Sequence, residues 1–154
     1  MERIMGQSLA KNLIHLIYST KDRRAVLDEP VREELHRYAA GILANVDSPA
    51  LVIGSVADHI HILFNLHRTK ALADVVMELK RGSSKWLKTK GERFADFAWQ
   101  NGYGAFSVSQ SSLEQVRNYI LAQSEHHKHT GFQEELRAFL CRYEIAFDEQ
   151  YVWD

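Results

Sequence analysis

Apolar and polar residues alternate strictly over 59–66 (HIHILFNL), with Ile60, Ile62 and Phe64 on one side and His59, His61 and Leu63 on the other. A strand sends successive side chains to opposite faces, so this segment predicts a half-buried strand. The mixed β-branched, Leu and aromatic run at 8–19 ends in Thr20, Lys21 and Asp22 and reads as an earlier strand. LVIGSVA at 51–57 and YGAFSVS at 103–109 read as two more.

Other stretches carry helical spacing. Asp28 as N-cap and Pro30 in the first turn precede a stripe at Val31, Leu35, Tyr38, Ile42 and Val46, which Ser48 and Pro49 break. Leu72, Val75, Val76, Leu79, Trp86 and Leu87 predict a helix from Ala71 to Lys90, with Gly82 a weak point inside it. Residues 91–102 read as a loop with a short helical turn around Phe94 to Trp99. Ser111 and Glu114 have capping-box spacing ahead of Leu113, Val116 and Ile120, predicting a helix to His129 that stops at Gly131. Phe132, Leu136, Phe139 and Leu140 mark a final helix, and an aromatic tail from Tyr143 to Trp153 is expected to pack back on the body.

The order β-α-β-β-α-β followed by helices matches the split βαβ, ferredoxin-like (RRM-like) α+β fold, an antiparallel sheet with C-terminal helices. With 154 residues, 45 % hydrophobic and 25 % charged, one domain is expected over 1–154. Its core would span 8–110, the Tyr119 helix 111–129, and the C-terminal helix and tail 132–154. A single cysteine, Cys141, excludes an intramolecular disulfide framework and reads as a buried helix residue. With no signal peptide or membrane-spanning run recognisable, the expected location is the cytoplasm.

A net charge of −1 weighs mildly against nucleic acid as partner, but its distribution is uneven. All 19 Lys and Arg lie at or before Arg142, whereas Glu144, Asp148, Glu149 and Asp154 follow it, leaving +3 on residues 1–142. Lys80, Arg81, Lys85, Lys88, Lys90 and Arg93 form a basic cluster, either a solvated helix face or a patch that tracks phosphates.

The candidate chemistry begins at His59-Ile60-His61. Residues two apart on a strand share a face, with Cα atoms roughly 6–7 Å apart, so two imidazoles can close on one divalent ion. The plain alternative is two half-exposed histidines on an open sheet face. Further ligands are needed, and Tyr119 and Gln123, four apart on one helix face, offer a second group, with Glu125, His126 and His127 a turn beyond. A phenol is a poor nucleophile at neutral pH; a cation that draws charge off a phosphodiester lets it attack phosphorus. The resulting phosphotyrosine ester can be resealed without a nucleotide cofactor. In keeping with that, the chain has no P-loop motif, and Gly102-Tyr103-Gly104 lacks the third glycine of a dinucleotide loop.

Four segments, STKDRR, VADHIHILF, GYGAFSVS and VRNYILAQSEHHK, in this order and over nearly the whole chain, resemble the single-tyrosine HUH transposases of bacterial insertion sequences and their repeat-associated relatives. The resemblance implies His59, His61 and Gln123 as metal ligands and Tyr119 as the nucleophile that forms a 5′-phosphotyrosine and frees a 3′-OH. It also implies Mg²⁺ or Mn²⁺, single-stranded DNA hairpins near element ends as substrate, and a homodimer in which one chain's tyrosine can complete the other's histidine site. Lys80, Arg81, Lys85 and Lys88 are the candidate DNA contacts. His126, His127 and His129 read as helix-end residues or backbone contacts, and Asp58 as either a strand start or the carboxylate that orients a histidine. Trp86, Trp99 and Trp153 read as packing residues.

Two other readings compete with a mobile or domesticated transposase. In a non-catalytic RRM-like module, Gly102 to Val108 would stack bases, although Asn101 stands where that signature has a cation. In a metal-dependent phosphoesterase, water would be the nucleophile and Tyr119 idle.

Overall fold

A computed structural model describes residues 6–123 and 130–154. Strand β1 (Leu13–Ser19) leads through a 3-10 turn into helix α1 (Glu29–Asn45); β2 (Ala50–Ser55) and β3 (His59–Asn65) form a hairpin, and α2 (Leu72–Leu87) precedes β4 (Gly104–Val108). Helices α3 (Leu113–Leu121) and α4 (Phe132–Arg142) follow. The sheet order is β2-β3-β1-β4, every pairing antiparallel, which is the split βαβ arrangement.

Alternation along the strands divides the molecule. Leu16, Tyr18, Ile60, Ile62 and Phe64 point to one face and pack with α1 and α2 into the main core. Ile17 and Phe106 point to the other face and pack with Phe132, Leu136, Phe139 and Leu140 of α4, while Leu13, Val52, Leu63 and Val108 pack with Ile120 of α3. The second face is therefore covered rather than open. As a result His59 to Phe64 are all buried, although the segment alternates like a strand with one wet side.

Local expectations hold where the cause is local. The Asp28 carboxylate accepts the Val31 N–H at 3.3 Å and caps α1, with Pro30 in the first turn. The buried stripe of α1 is Val31, Leu35, Ala39 and Leu43; Tyr38 is 41 % exposed and stacks on Trp86 where α1 meets α2. Gly82 does not interrupt α2, because α1 passes close: a Cβ there would come within 2.8 Å of Ile42 Cδ1. The capping box does not form. A 3-10 turn at Gln110–Ser112 precedes α3, Ser111 bonds to Ser109 instead, and the N-cap Ser112 makes no side-chain capping bond to the helix. Helix α3 ends at Leu121, short of the expected His129; Glu125, His126, His127 and His129 lie outside the described residues.

Cys141 is exposed, on the outer side of α4, and not buried as expected. Trp153 of the tail does pack against Phe132, under the Arg137 guanidinium. No helix among the described residues is long and apolar enough to cross a membrane.

Candidate active site

One row of residues across the covered face sets the geometry. Gly54 of β2 pairs with His61 of β3, His61 with Ile17 of β1, and Ile17 with Gly104 of β4. The rim positions carry no side chain, and helices occupy the space. A Cβ on Gly54 would lie 2.4 Å from the Ile120 carbonyl oxygen of α3, and one on Gly104 2.8 Å from Leu136 Cδ1 of α4. The residues beside those contacts, Tyr119 and Glu135, are thereby brought over the two histidines.

Glu135 is the centre of the constellation. Its Oε1 lies 2.9 Å from His61 Nε2 and 3.2 Å from His59 Nε2, while its Oε2 accepts a hydrogen bond from the Tyr119 hydroxyl. Gln123, also buried, directs its amide nitrogen to the Tyr119 carbonyl at 3.3 Å and to Glu135 Oε2 at 3.5 Å. The far sides of the imidazoles are held as well: His59 Nδ1 meets Asp58 at 2.7 Å and His61 Nδ1 meets His15 Nε2 at 2.8 Å. Of the two readings of Asp58, the orienting carboxylate is the one that the geometry bears out.

Burial opposes a charge on His59, but Asp58 and Glu135 outweigh it and hold its pKa above the ordinary imidazole value. Burial, and then the neighbouring His61, lower His15 to about 3 despite Glu135, so His15 is neutral at physiological pH and able to accept a proton in a hydrogen bond. Tyr119 is pushed well above the usual phenol range by burial and by the hydrogen bond and charge of Glu135, against smaller opposing effects from Gln123 and Arg142. Without a cation beside Glu135, Tyr119 is a firmly protonated phenol.

His59, His61 and Glu135 present donor atoms all within 4.8 Å of one another, a buried group able to hold a metal ion. The set fits a divalent ion chemically. Coordination through Nε2 requires the proton on Nδ1, where Asp58 and His15 stand ready to accept it. Two imidazoles and one carboxylate would leave positions for water or substrate.

Tyr119 and Gln123 thus meet, through Glu135, the histidine pair they were matched to in sequence. The basic cluster does not join them. Arg81, Lys85 and Lys88 are exposed on α2, on the opposite side of the sheet, and Arg81 pairs with Glu78. Lys80 is turned inward: its ammonium donates to the carbonyls of Gln100 (2.7 Å), Asn101 (3.2 Å) and Gly102 (2.6 Å), pinning the approach to β4. All three of its protons are used, so Lys80 holds the fold and has none to offer DNA. The RRM-like alternative loses its platform, because Phe106 is 2 % exposed and stacked on Phe139 of α4.

Sequence reasoning missed His15 and Glu135. Glu135 had a signal: with Phe132, Leu136 and Phe139 it completes the spacing of a buried helical stripe, and an acid there needs partners. His15 shares the β1 face of Leu13 and Ile17 but pairs directly with Leu63, so its diagonal reach to His61 emerges only from the register.

The chain was compared with known proteins. No curated protein sequence matches it significantly. Among solved structures, a Deinococcus radiodurans R1 chain assigned as a transposase superposes with a TM-score of 0.61 at 24 % identity, covering 80 % of this chain and 98 % of that one. A REP-associated tyrosine transposase bound to a REP hairpin superposes with a TM-score of 0.60 at 12 % identity, covering 82 % of this chain and 74 % of the other. At such identities these likenesses speak for the fold. The family model described as "Transposase IS200 like" matches residues 8–123, which include His59, His61, Tyr119 and Gln123. The chain belongs to the IS200-like transposase family.

Proposed function

We propose that this protein cleaves and rejoins single-stranded DNA at hairpin-marked element ends through a covalent 5′-phosphotyrosine on Tyr119. One observation carries the reading: a single buried carboxylate, Glu135, touches both the hydroxyl of Tyr119 and the two imidazoles that would hold the cation. His59 and His61 would hold the ion, with Gln123 the third ligand that the resemblance implies and Glu135, whose Oε1 faces both imidazoles, a further donor. A bound Mn²⁺ or Mg²⁺ supplies Lewis-acid stabilisation of the charge that builds on the phosphodiester.

The protein's own groups do the rest. Tyr119 Oη attacks phosphorus in line and its proton passes to Glu135 Oε2; the P–O3′ bond breaks and the freed 3′ oxygen takes up a proton, leaving a 3′-OH and a 5′-phosphotyrosine. Attack by a later 3′-OH on that ester reverses the step and seals a new junction. The hairpin held by the REP-associated relative supports hairpin DNA as substrate here. Arg81, Lys85 and Lys88 would hold DNA away from the chemistry. The resemblance further implies a homodimer in which one chain's tyrosine can complete the other's site; because Tyr119 touches Glu135 of its own chain, we propose sites completed in cis.

The test uses hairpin-bearing single-stranded DNA labelled at its 3′ end, with Mn²⁺. Wild-type protein should retain label after denaturation, and Tyr119→Phe should bind DNA but retain none. An adduct on the Phe variant would reject Tyr119, and cleavage without adduct would favour water as nucleophile. His61→Ala should abolish cleavage. Mixing Tyr119→Phe with His61→Ala should restore nothing; recovery would show exchange between protomers.

A further inference from the structure

A cleft of about 530 Å³ opens between α3 and α4 directly onto the Tyr119 and Glu135 side chains. That volume falls within the roughly 300–1,000 Å³ of pockets that enclose small ligands. Its two ends differ in chemistry. The inner end holds the phenol, the carboxylate and His15; the outer end holds Arg142 and Tyr143, with Gln115 among the α3 residues facing them.

Of the outer residues, Arg142 lies over a ring and Tyr143 is anchored. The Arg142 guanidinium lies 5.5 Å from the Phe139 ring centroid, and among the described residues it has no carboxylate partner. Arg137, on the same helix, differs: it is committed to Glu149 at 2.7 and 2.9 Å and to the Trp153 ring. Tyr143 leans on Phe106 with ring centroids 4.8 Å apart and donates its hydroxyl to the Ser107 carbonyl at 3.1 Å, yet it is 39 % exposed. A cation with no counterion among the described residues, beside a fixed, half-exposed aromatic ring, is what an unpaired nucleotide needs, one for its phosphate and the other for its base. A duplex hides its base faces in the stack and cannot use both.

We propose that this cleft binds the unpaired nucleotide adjoining the scissile phosphate, with Arg142 on its backbone phosphate and Tyr143 against its base. The proposal deepens the function given above and rests on it for the position of the scissile phosphate. It adds a strand path through the cleft on the α4 side, remote from the basic face of α2.

The test is equilibrium binding in the Tyr119→Phe background, by fluorescence anisotropy, with two probes: a DNA hairpin carrying a single-stranded flank and the same hairpin without it. Arg142→Gln should weaken binding of the flanked probe several-fold and lower its log affinity against log salt slope by about 0.7, the loss of one single-strand phosphate contact. Arg142→Lys should recover part of the loss. Tyr143→Leu should weaken the flanked probe about fivefold or more. Both variants should bind the flankless hairpin as the parent does and melt within a few degrees of it. Unchanged affinity for the flanked probe, or equal losses on both probes, overturns the proposal. A wild-type chain that forms no adduct refutes the Tyr119 reading, and the binding comparison still decides the cleft.

Discussion

Replacing Gly54 with alanine tests how the nucleophile is positioned. The added methyl would meet the Ile120 carbonyl oxygen at 2.4 Å and its Cγ2 at 2.9 Å, whereas ordinary contact begins at 3.4 Å, so α3 must retreat by about 1 Å. The neighbour is backbone, which cannot rotate away. Overpacking of this kind costs about 1–3 kcal/mol, or roughly 2–4 °C of melting temperature per kcal/mol for a chain of this size. A 1 Å misplacement of a reacting group costs on the order of 100-fold in rate. Gly54→Ala should therefore melt several degrees lower and form the phosphotyrosine adduct at a rate reduced by up to about 100-fold, with DNA affinity little changed. Gly41→Ala is the control: nothing lies within 4 Å of its added methyl, and alanine in a helix interior should stabilise by about 0.5–1 kcal/mol. If Gly54→Ala matches wild type in both melting and single-turnover adduct formation, the placement of α3 over β2 is wrong.

Substitutions at three other positions follow from the site and its surroundings. His15→Phe should reduce Mn²⁺ affinity about 10- to 100-fold by titration calorimetry, since His61 Nδ1 loses its partner, and His15→Gln should recover part of it; equal affinities would show that His15 does not orient His61. Lys80→Met should destabilise by about 1.5–3 kcal/mol in urea by removing three bonds to carbonyls, while leaving DNA affinity unaltered. Burial, helped by Arg32, lowers His36 to about 4, so between pH 6.5 and 4 the unfolded chain binds a proton that the folded one does not. Stability should then fall on acidification across that window by up to about 1.4 kcal/mol per pH unit, measured by denaturant titration with chelator, and His36→Gln should flatten the slope.

The legible parts of the fold were those whose cause is local. Period-2 alternation at 59–66 and the Asp28 cap depend on neighbouring residues, and both elements form within a residue or two of the expected positions. What escaped depends on contacts between distant segments. The α1 stripe rotated from Tyr38 to Ala39 because α2 takes Tyr38 as a surface stacking partner. Lys80 groups in sequence with its basic neighbours, because a side chain's direction cannot be read from charge. The histidine pair, Tyr119 and Gln123 were legible as motifs, but the residue joining them, Glu135, sits 76 positions from His59 and enters only once α4 is laid over Gly104.

The burial of β3 from His59 to Phe64, on an inner strand flanked by β1 and β2, has a dynamic consequence. Its amide hydrogens should exchange only when the whole molecule opens, so the imidazoles are fixed to the most persistent part of the architecture. Under the proposed function, strand entry would displace the two covering helices rather than β3. Tyr119 would then ride on one of these covering helices while the imidazoles stay with the sheet.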